Sequence, residues 1–210
     1  IIADNKHILL LDYADNSAVM DEIGRLRELS FRSVGEGTGC GKDIDRFDYY
    51  YRHLVLWDDV EAEIVGAYRL GEIWRWPDHE KNRLYSNTLF AYEPSIQPIF
   101  EQGLELGRSF VQPQYWGRRC LDYLWQGIGA YLASHPDVRY LFVPVTLSNS
   151  LPKSARDMLV YFYQTHFPDP DHYARPTIPY VINPAAAGAL RVEMPGFDIE
   201  MDQAWLRKQL

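Results

Sequence analysis

The 210 residues are 47% hydrophobic and 14% aromatic, enough to build one large domain, or one domain with a tail, around a substantial core. The net charge of −8 argues against a nucleic-acid-binding protein, which would carry a basic surplus. Two cysteines, Cys40 and Cys120, and six scattered histidines form neither a disulfide framework nor a metal-ligand spacing, and no apolar run reaches the length of a membrane span. No signal peptide is expected, so the expected setting is the cytoplasm. The chain opens on Ile1 rather than methionine, which reads as a cut in a longer natural chain.

HILLLDY (7–13) has the length and composition of a buried strand. Asn16 and Ser17 offer a helix cap, and Val19, Ile23, Leu26 and Leu29 follow at helical spacing, carrying a helix to about Val34. The glycine-rich, charged stretch 35–51 cannot be regular throughout, and it follows a helix, not a strand, so it is no phosphate-binding P-loop. HLVLW (53–57) and EIVGAYRL (63–70) predict a hairpin turning at DDVEA. Residues 74–103, dense in aromatics and prolines, form a long excursion that packs on something. LELGRSFV (104–111) predicts a strand that passes through QPQYWG into a helix over 117–134. Leu121, Leu124, Ile128 and Tyr131 make the buried stripe of that helix, and Gly127 and Gly129 imply close contact with the sheet. RYLFVPVTL (139–147) predicts a further strand and 151–167 a further helix, with DQAWLRKQL closing the tail as a last helix. This order specifies an α/β sandwich with a mixed sheet, since the hairpin excludes an all-parallel one.

Strand 104–111 running through a basic turn into a helix resembles the GNAT acyltransferase fold, a three-layer sandwich around a centrally splayed sheet. In that family the turn cradles the donor's pyrophosphate with closely spaced glycines. Here Val111, Pro113, Tyr115 and Gly117 match, but the cradle positions hold Trp116, Arg119 and Leu121, which cannot give the same close backbone approach. Two GNAT branches that use acyl carrier protein lack a strict cradle. "LRELSF" with Arg27 and Phe31, "DIDRFD" with Asp45 and Asp48, Arg69, and the E-x-x-R of Glu105 and Arg108 resemble acyl-homoserine-lactone synthases. "ELGRSFVQPQY", "LDYLWQGIGAYL" and "VPVTLSNSLPKSARDMLVYFYQTHF" resemble the hemolysin-like group that includes ornithine-lipid N-acyltransferases. The resemblance covers residues 7 to 182 and implies a GNAT-like domain over 1–182 with a helical tail over 183–210.

The resemblance implies transfer of a long-chain fatty acyl group, 3-hydroxylated in some lipids, from acyl carrier protein to the amine of a small amino acid such as ornithine. It implies no bound cofactor, a phosphopantetheine thioester as donor, and acyl-coenzyme A as a weaker one. Membrane contact would be peripheral, at the inner membrane and through the product, and fusion to a glycerolipid acyltransferase domain, known in the group, would fit the missing methionine. Two alternatives stand beside it: a non-catalytic module binding acyl carrier or lipid, and an autoinducer synthase using S-adenosylmethionine.

Glu105 is expected to face the cleft and orient the amine or take its proton, the alternative being a buried ion pair with Arg108 or Arg69. A bulge is needed to bring Arg108 to the same face. Asp45 and Asp48 are either turn formers or holders of the acceptor's cationic head, and the resemblance adds Arg69 as a further substrate-binding residue. Ser148 and Asn149 either cap the next helix or bind the pantetheine arm. Phe110 and Val111 line the donor path, and Arg118, Arg119, Lys153 and Arg156 are expected to form one cationic patch that docks an acidic carrier protein. Tyr161 and Tyr163 are read as core, the alternative that the resemblance implies being an acid for the leaving thiolate, and no residue is assigned to a metal.

Overall fold

A computed structural model describes residues 5–13, 18–76 and 83–210. The chain divides into two compact units, Ile1–Thr88 with Ser95–Val145, and Leu89–Pro94 with Thr146–Leu210. The proposed Asn16–Ser17 cap lies outside the described residues.

The first unit is built on five strands in the order β1-β2-β3-β5-β6, with β1 Lys6–Asp12, β2 Arg52–Asp58, β3 Glu63–Glu72, β5 Gly103–Val111 and β6 Tyr140–Phe142. All neighbours are antiparallel except β5 and β6, so the sheet is mixed, as expected. Helix α1, Ala18–Ser33, covers one face through Met20, Ile23 and Leu26, which pack on Val55, Ile64, Ala67 and Phe110. Helix α3, Cys120–Ala133, covers the other through Tyr123, Leu124, Ile128 and Tyr131, against Leu54, Leu56, Tyr68, Leu70 and Leu104. The period-two pattern of β2 sorts its apolar side chains between these layers. Buried Cys120 is a small member of the α3 layer.

Two departures from a regular sheet matter for function. Strand β6 is shorter than the predicted 139–147 and pairs only with Gly103–Glu105, so Leu106–Val111 have no strand partner on that edge among the described residues. On the other edge, β3 and β5 lose register between Ala67 and Arg69: Ala67 pairs with Phe110 but Arg69 with Gly107. Two residues of β5, Arg108 and Ser109, therefore oppose one of β3, and Arg108 takes a left-handed φ of 46°. This is the bulge the spacing of Glu105 and Arg108 required.

In the second unit, β4 Phe90–Tyr92 pairs antiparallel with β7 Ala174–Pro176. Helix α4 Lys153–His166 packs through Phe162 on Leu190 of α5 Pro184–Glu193 and on Leu206 of α6 Ile199–Gln209. The tail is thus helical in two pieces, the second starting at Ile199 with Asp198 capping the Glu200 and Met201 amides. Tyr163, a core candidate, is instead exposed. The short helix α2, Gln97–Glu101, leads into β5.

The glycines of α3 differ. A Cβ at Gly127 would stand 2.9 Å from Ile8 of β1, the close approach expected, but one at Gly129 would meet nothing, so close contact does not explain that glycine. Gly129→Ala should therefore stabilise by about 1 kcal/mol, because helix entropy is the only difference, raising Tm by roughly 2–4 °C. At Gly66 a Cβ would overlap the Phe110 carbonyl oxygen, backbone that cannot yield cheaply. Gly66→Ala should cost about 1–3 kcal/mol, with opposite signs for the two variants in one thermal melt.

Candidate functional site

The bulge reverses the alternation of β5: Leu104 and Leu106 point into the α3 layer, whereas Phe110 packs in the α1 layer. Arg108 joins the same surroundings as Glu105, for Tyr85 lies against both, its amide on the Glu105 carboxylate and its ring 5.4 Å from the Arg108 guanidinium. Around them the segment 43–51 folds back over the sheet. Asp45 caps a single turn, Arg46–Tyr49, by accepting from the Phe47 amide at 2.8 Å, while Asp48 accepts from the Asp45 amide at 2.8 Å. Each carboxylate has been turned inward by this capping box and meets an arginine.

The resulting network alternates in sign. Arg27 Nη1 donates to both oxygens of Asp48 at 3.0 and 3.2 Å and to the Asp43 carbonyl at 3.1 Å. Arg69 Nη1 donates to Asp45 at 2.7 Å and to Asp48 at 3.3 Å. Arg108 Nη2 reaches Asp45 at 3.4 Å and Asp43 at 3.6 Å. Arg27, Arg69 and Asp48 are all 0% exposed. Burial pushes the Asp48 carboxyl up, but the charges of Arg27 and Arg69 outweigh it and hold it below the usual carboxylate range. Asp43, also buried, goes the other way: burial raises it, and Arg108 and Arg27 offset that only in part. Arg69 is disfavoured by burial yet raised by Asp48 and Asp45, and its guanidinium lies 5.1–5.5 Å from the rings of Phe47, Tyr51 and Tyr85.

The sequence expectation for Glu105 needs correction. It is 1% exposed rather than facing a cleft, and it pairs with neither Arg108 nor Arg69. Its carboxylate accepts from the Tyr51 hydroxyl, the Ser86 amide at 2.9 Å and the Tyr85 amide at 3.1 Å. Asp48 is likewise committed to arginines, leaving Asp45, with about a quarter of its side chain exposed, as the carboxylate that a ligand can meet. Asp43, Tyr51 and the Tyr85 and Ser86 amides were not singled out from the sequence. The first aspartate of "DIDRFD" was the available signal for Asp43.

Nearby, buried Glu28 accepts from Arg32, from the Thr38 hydroxyl and amide at 2.7 and 2.8 Å, and from the Gly39 amide at 3.0 Å. The Thr38 hydroxyl leads the interactions that hold its carboxyl down at about 2. That one side chain organises the glycine-rich loop.

Phe110, Val111, Tyr115, Trp116, Arg118 and Leu121 line a groove of about 360 Å³ at the end of β5. Trp116 Nε1 donates to the Val111 carbonyl at 2.8 Å, which pins its indole against the end of β5. Helix α3 starts at Cys120, three residues later than predicted, so Arg118 lies in the preceding turn over the Tyr115 ring and Arg119 is the N-cap, 3.5 Å from Asp122. The other two cations of the expected patch lie in the second unit. There Lys153 binds Asp157 at 2.7 Å and Arg156 donates to Asn149 at 2.7 Å. Ser148 bonds Ser150 rather than capping α4, whose N-cap is Pro152. No cluster of metal-ligating side chains occurs among the described residues, and none of their helices is long and apolar enough to cross a membrane.

Residues 26–126 match the acetyltransferase (GNAT) domain family, so the chain carries a GNAT domain with the α/β fold described above. A glycine N(alpha)-acyltransferase of Phocaeicola vulgatus is 38% identical over 191 residues, covering 85% of this chain and 59% of that protein. An L-ornithine N(alpha)-acyltransferase of Brucella abortus is 33% identical over 128 residues, 52% of this chain and 43% of its own. The chain thus spans less than two thirds of the length of these curated relatives. The crystal structure of the AHL synthase LasI aligns at 13% identity and a TM-score of 0.39, over 66% of this chain and 72% of its own.

His53 supplies a pH test of the network. It is 0% exposed, with Nε2 3.2 Å from the Asp48 carbonyl, and burial lowers it to about 4. The folded state therefore holds His53 neutral, while the unfolded chain binds a proton below about 6.5. Stability should be flat above that pH and fall as the pH drops toward 4, by about 3 kcal/mol at most. In His53→Gln, urea midpoints between pH 6.5 and 4.5 should lose this slope, leaving the carboxylate losses at lower pH.

Proposed function

We propose that this chain is the catalytic domain of an N-acyltransferase that moves a long fatty acyl group from acyl carrier protein to the α-amine of a small amino acid. The observation that carries it is the groove at the end of β5, open on the unpaired edge of Leu106–Val111 and a short way along the strand from the Arg108–Asp45 pair. The relatives' names give the acceptor class, and the match over most of the chain favours glycine ahead of ornithine.

In this reading Phe110 and Val111 guide the thioester along β5. The amine, neutral when it attacks, adds to the thioester carbonyl. The carbonyl oxygen gathers negative charge against a main-chain N–H of β5, and the thiolate leaves with a proton. Asp45, the exposed carboxylate of the network, holds the incoming ammonium and passes its proton to water; Asp48 and Arg69 fix Asp45 from beneath. Arg108, loosely held by Asp45 and Asp43, supplies positive charge beside the reacting groups. Trp116, Arg119 and Leu121 replace the pyrophosphate cradle, which favours a carrier protein over a nucleotide-bearing donor. Arg118 and Arg119 would meet the acidic carrier, and roles for Ser148, Asn149, Lys153 and Arg156 belong to the same proposal.

Two measurements test this. With glycine as acceptor, kcat/KM for acyl carrier protein should exceed that for coenzyme A bearing the same chain by at least about tenfold, a difference of one well-made polar contact; equal values refute the donor assignment. Arg118→Glu with Arg119→Glu should raise KM for the carrier while leaving kcat near the wild-type value, and added salt should weaken the wild type more than this variant.

A further inference from the structure

A buried carboxylate that accepts three hydrogen bonds has little left to offer a substrate proton. What Glu105 does instead is fix the turn Tyr85–Thr88, through the Tyr85 and Ser86 amides at 3.1 and 2.9 Å. The Tyr51 hydroxyl joins the clamp, donating to Glu105 and accepting from the same Tyr85 amide at 2.9 Å. Two buried groups therefore hold the backbone of Tyr85 at one point.

Its side chain is held as firmly. The ring centre lies 5.4 Å from the guanidinium of Arg69 and 5.4 Å from that of Arg108, and it meets the Phe47 ring edge-on at 5.4 Å. Those three neighbours share one partner. Among the described residues, the Asp45 carboxylate bonds to Arg69 at 2.7 Å, to the Phe47 amide at 2.8 Å and to Arg108 at 3.4 Å. Tyr85 thus touches each residue that holds Asp45, while its own hydroxyl has no hydrogen-bond partner among the described residues. A wall rejects a ligand only if it cannot move aside, and this half-buried ring is fixed through its backbone and by three side chains. We propose that Tyr85 determines acceptor specificity: its ring fills the space beside Asp45 that a side chain on the acceptor's α-carbon would need, and Glu105 is a positioning residue that acts through the Tyr85 backbone. This rests on the acyltransferase reading, in which Asp45 holds the acceptor's ammonium. It gives the preference for glycine a physical cause, since glycine alone among amino acids places only hydrogen there.

Binding and turnover together test this. The purified chain, without donor, is titrated with ¹³C-labelled glycine, L-alanine and L-ornithine, and binding is followed by NMR. Glycine should bind at least about tenfold more tightly than alanine, the discrimination that one methyl group gives in a rigid pocket. Tyr85→Ala should remove most of that difference and Tyr85→Phe should keep it, because the ring and not the hydroxyl is the wall. Tyr85→Leu, which still covers the arginines, should fall between them and guards against a variant that does not fold. In turnover with an acyl carrier donor, the alanine-to-glycine ratio of kcat/KM should rise about tenfold in Tyr85→Ala. A uniform loss for all three acceptors with a lower Tm would make the ring mere packing and overturn the proposal. Glu105→Gln, which keeps an acceptor for the turn, should hold the wild-type ratio, while Glu105→Ala should raise it. Loss of kcat in Glu105→Gln at unchanged ratio and Tm would make Glu105 the base and refute its positioning role. If binding discriminates as described but no amine is acylated, the wall stands and the enzymatic reading falls. If glycine is acylated and the ratio ignores Tyr85, the reading stands and the wall falls; neither binding nor transfer refutes both.

Discussion

One extra residue in β5 sets the arrangement of everything around it. Were the strand regular, Arg108 would share a face with Leu104 and Leu106 and would drive a guanidinium into the packing of α3. The bulge opposite Tyr68 instead sends it to the α1 side, at the cost of a left-handed backbone that a non-glycine residue adopts only when its surroundings demand it. Those surroundings are the carboxylates of Asp43 and Asp45 and the ring of Tyr85. The same shift lets Phe110 close the core under α1 while the strand's other edge stays open toward the groove.

The buried charges obey a strict balance. Three arginines and three aspartates alternate, and His53 stays neutral within them, so the charges of the network cancel. Removing one partner would strand a charge in a medium that cannot solvate it, which costs far more than the pair contributes. Such a network has few alternative arrangements. That rigidity also fixes Asp45, which keeps about a quarter of its side chain exposed.

Much of this was legible in the sequence, and the reasons differ by element. Helices α1, α3 and α4 announce themselves by periodicity, because each buries one face, and strands β1, β2, β3 and β5 by their short apolar runs. Strand β6 was overextended, since VPVTL reads as strand by composition while β6 pairs with β5 only over Tyr140–Phe142. The E-x-x-R spacing pointed to a bulge and the bulge is there, but the fate of Glu105 was hidden: its partners are two main-chain amides and a tyrosine far along the chain, and amides leave no trace in residue identity. Gly127 and Gly129 look alike in sequence, and only Ile8 distinguishes them.

The short strand β4 has a consequence for how the chain is made. Leu89–Pro94 belongs to the second unit although the sequence on both sides of it belongs to the first, and its partner β7 lies more than 80 residues downstream. During synthesis the first unit has all its described strands once Val145 has emerged. The segment 89–94 must then wait, as a loop thrown out of an otherwise finished sheet, until Ala174–Pro176 is translated. Its pairing closes a long loop late, which is slow by nature and leaves a strand edge uncovered in the interval. Phe90 and Tyr92, flanked by Leu89 and Pro94, are the residues left waiting, and the proline ends the exposed run before it can lengthen into a template for another chain.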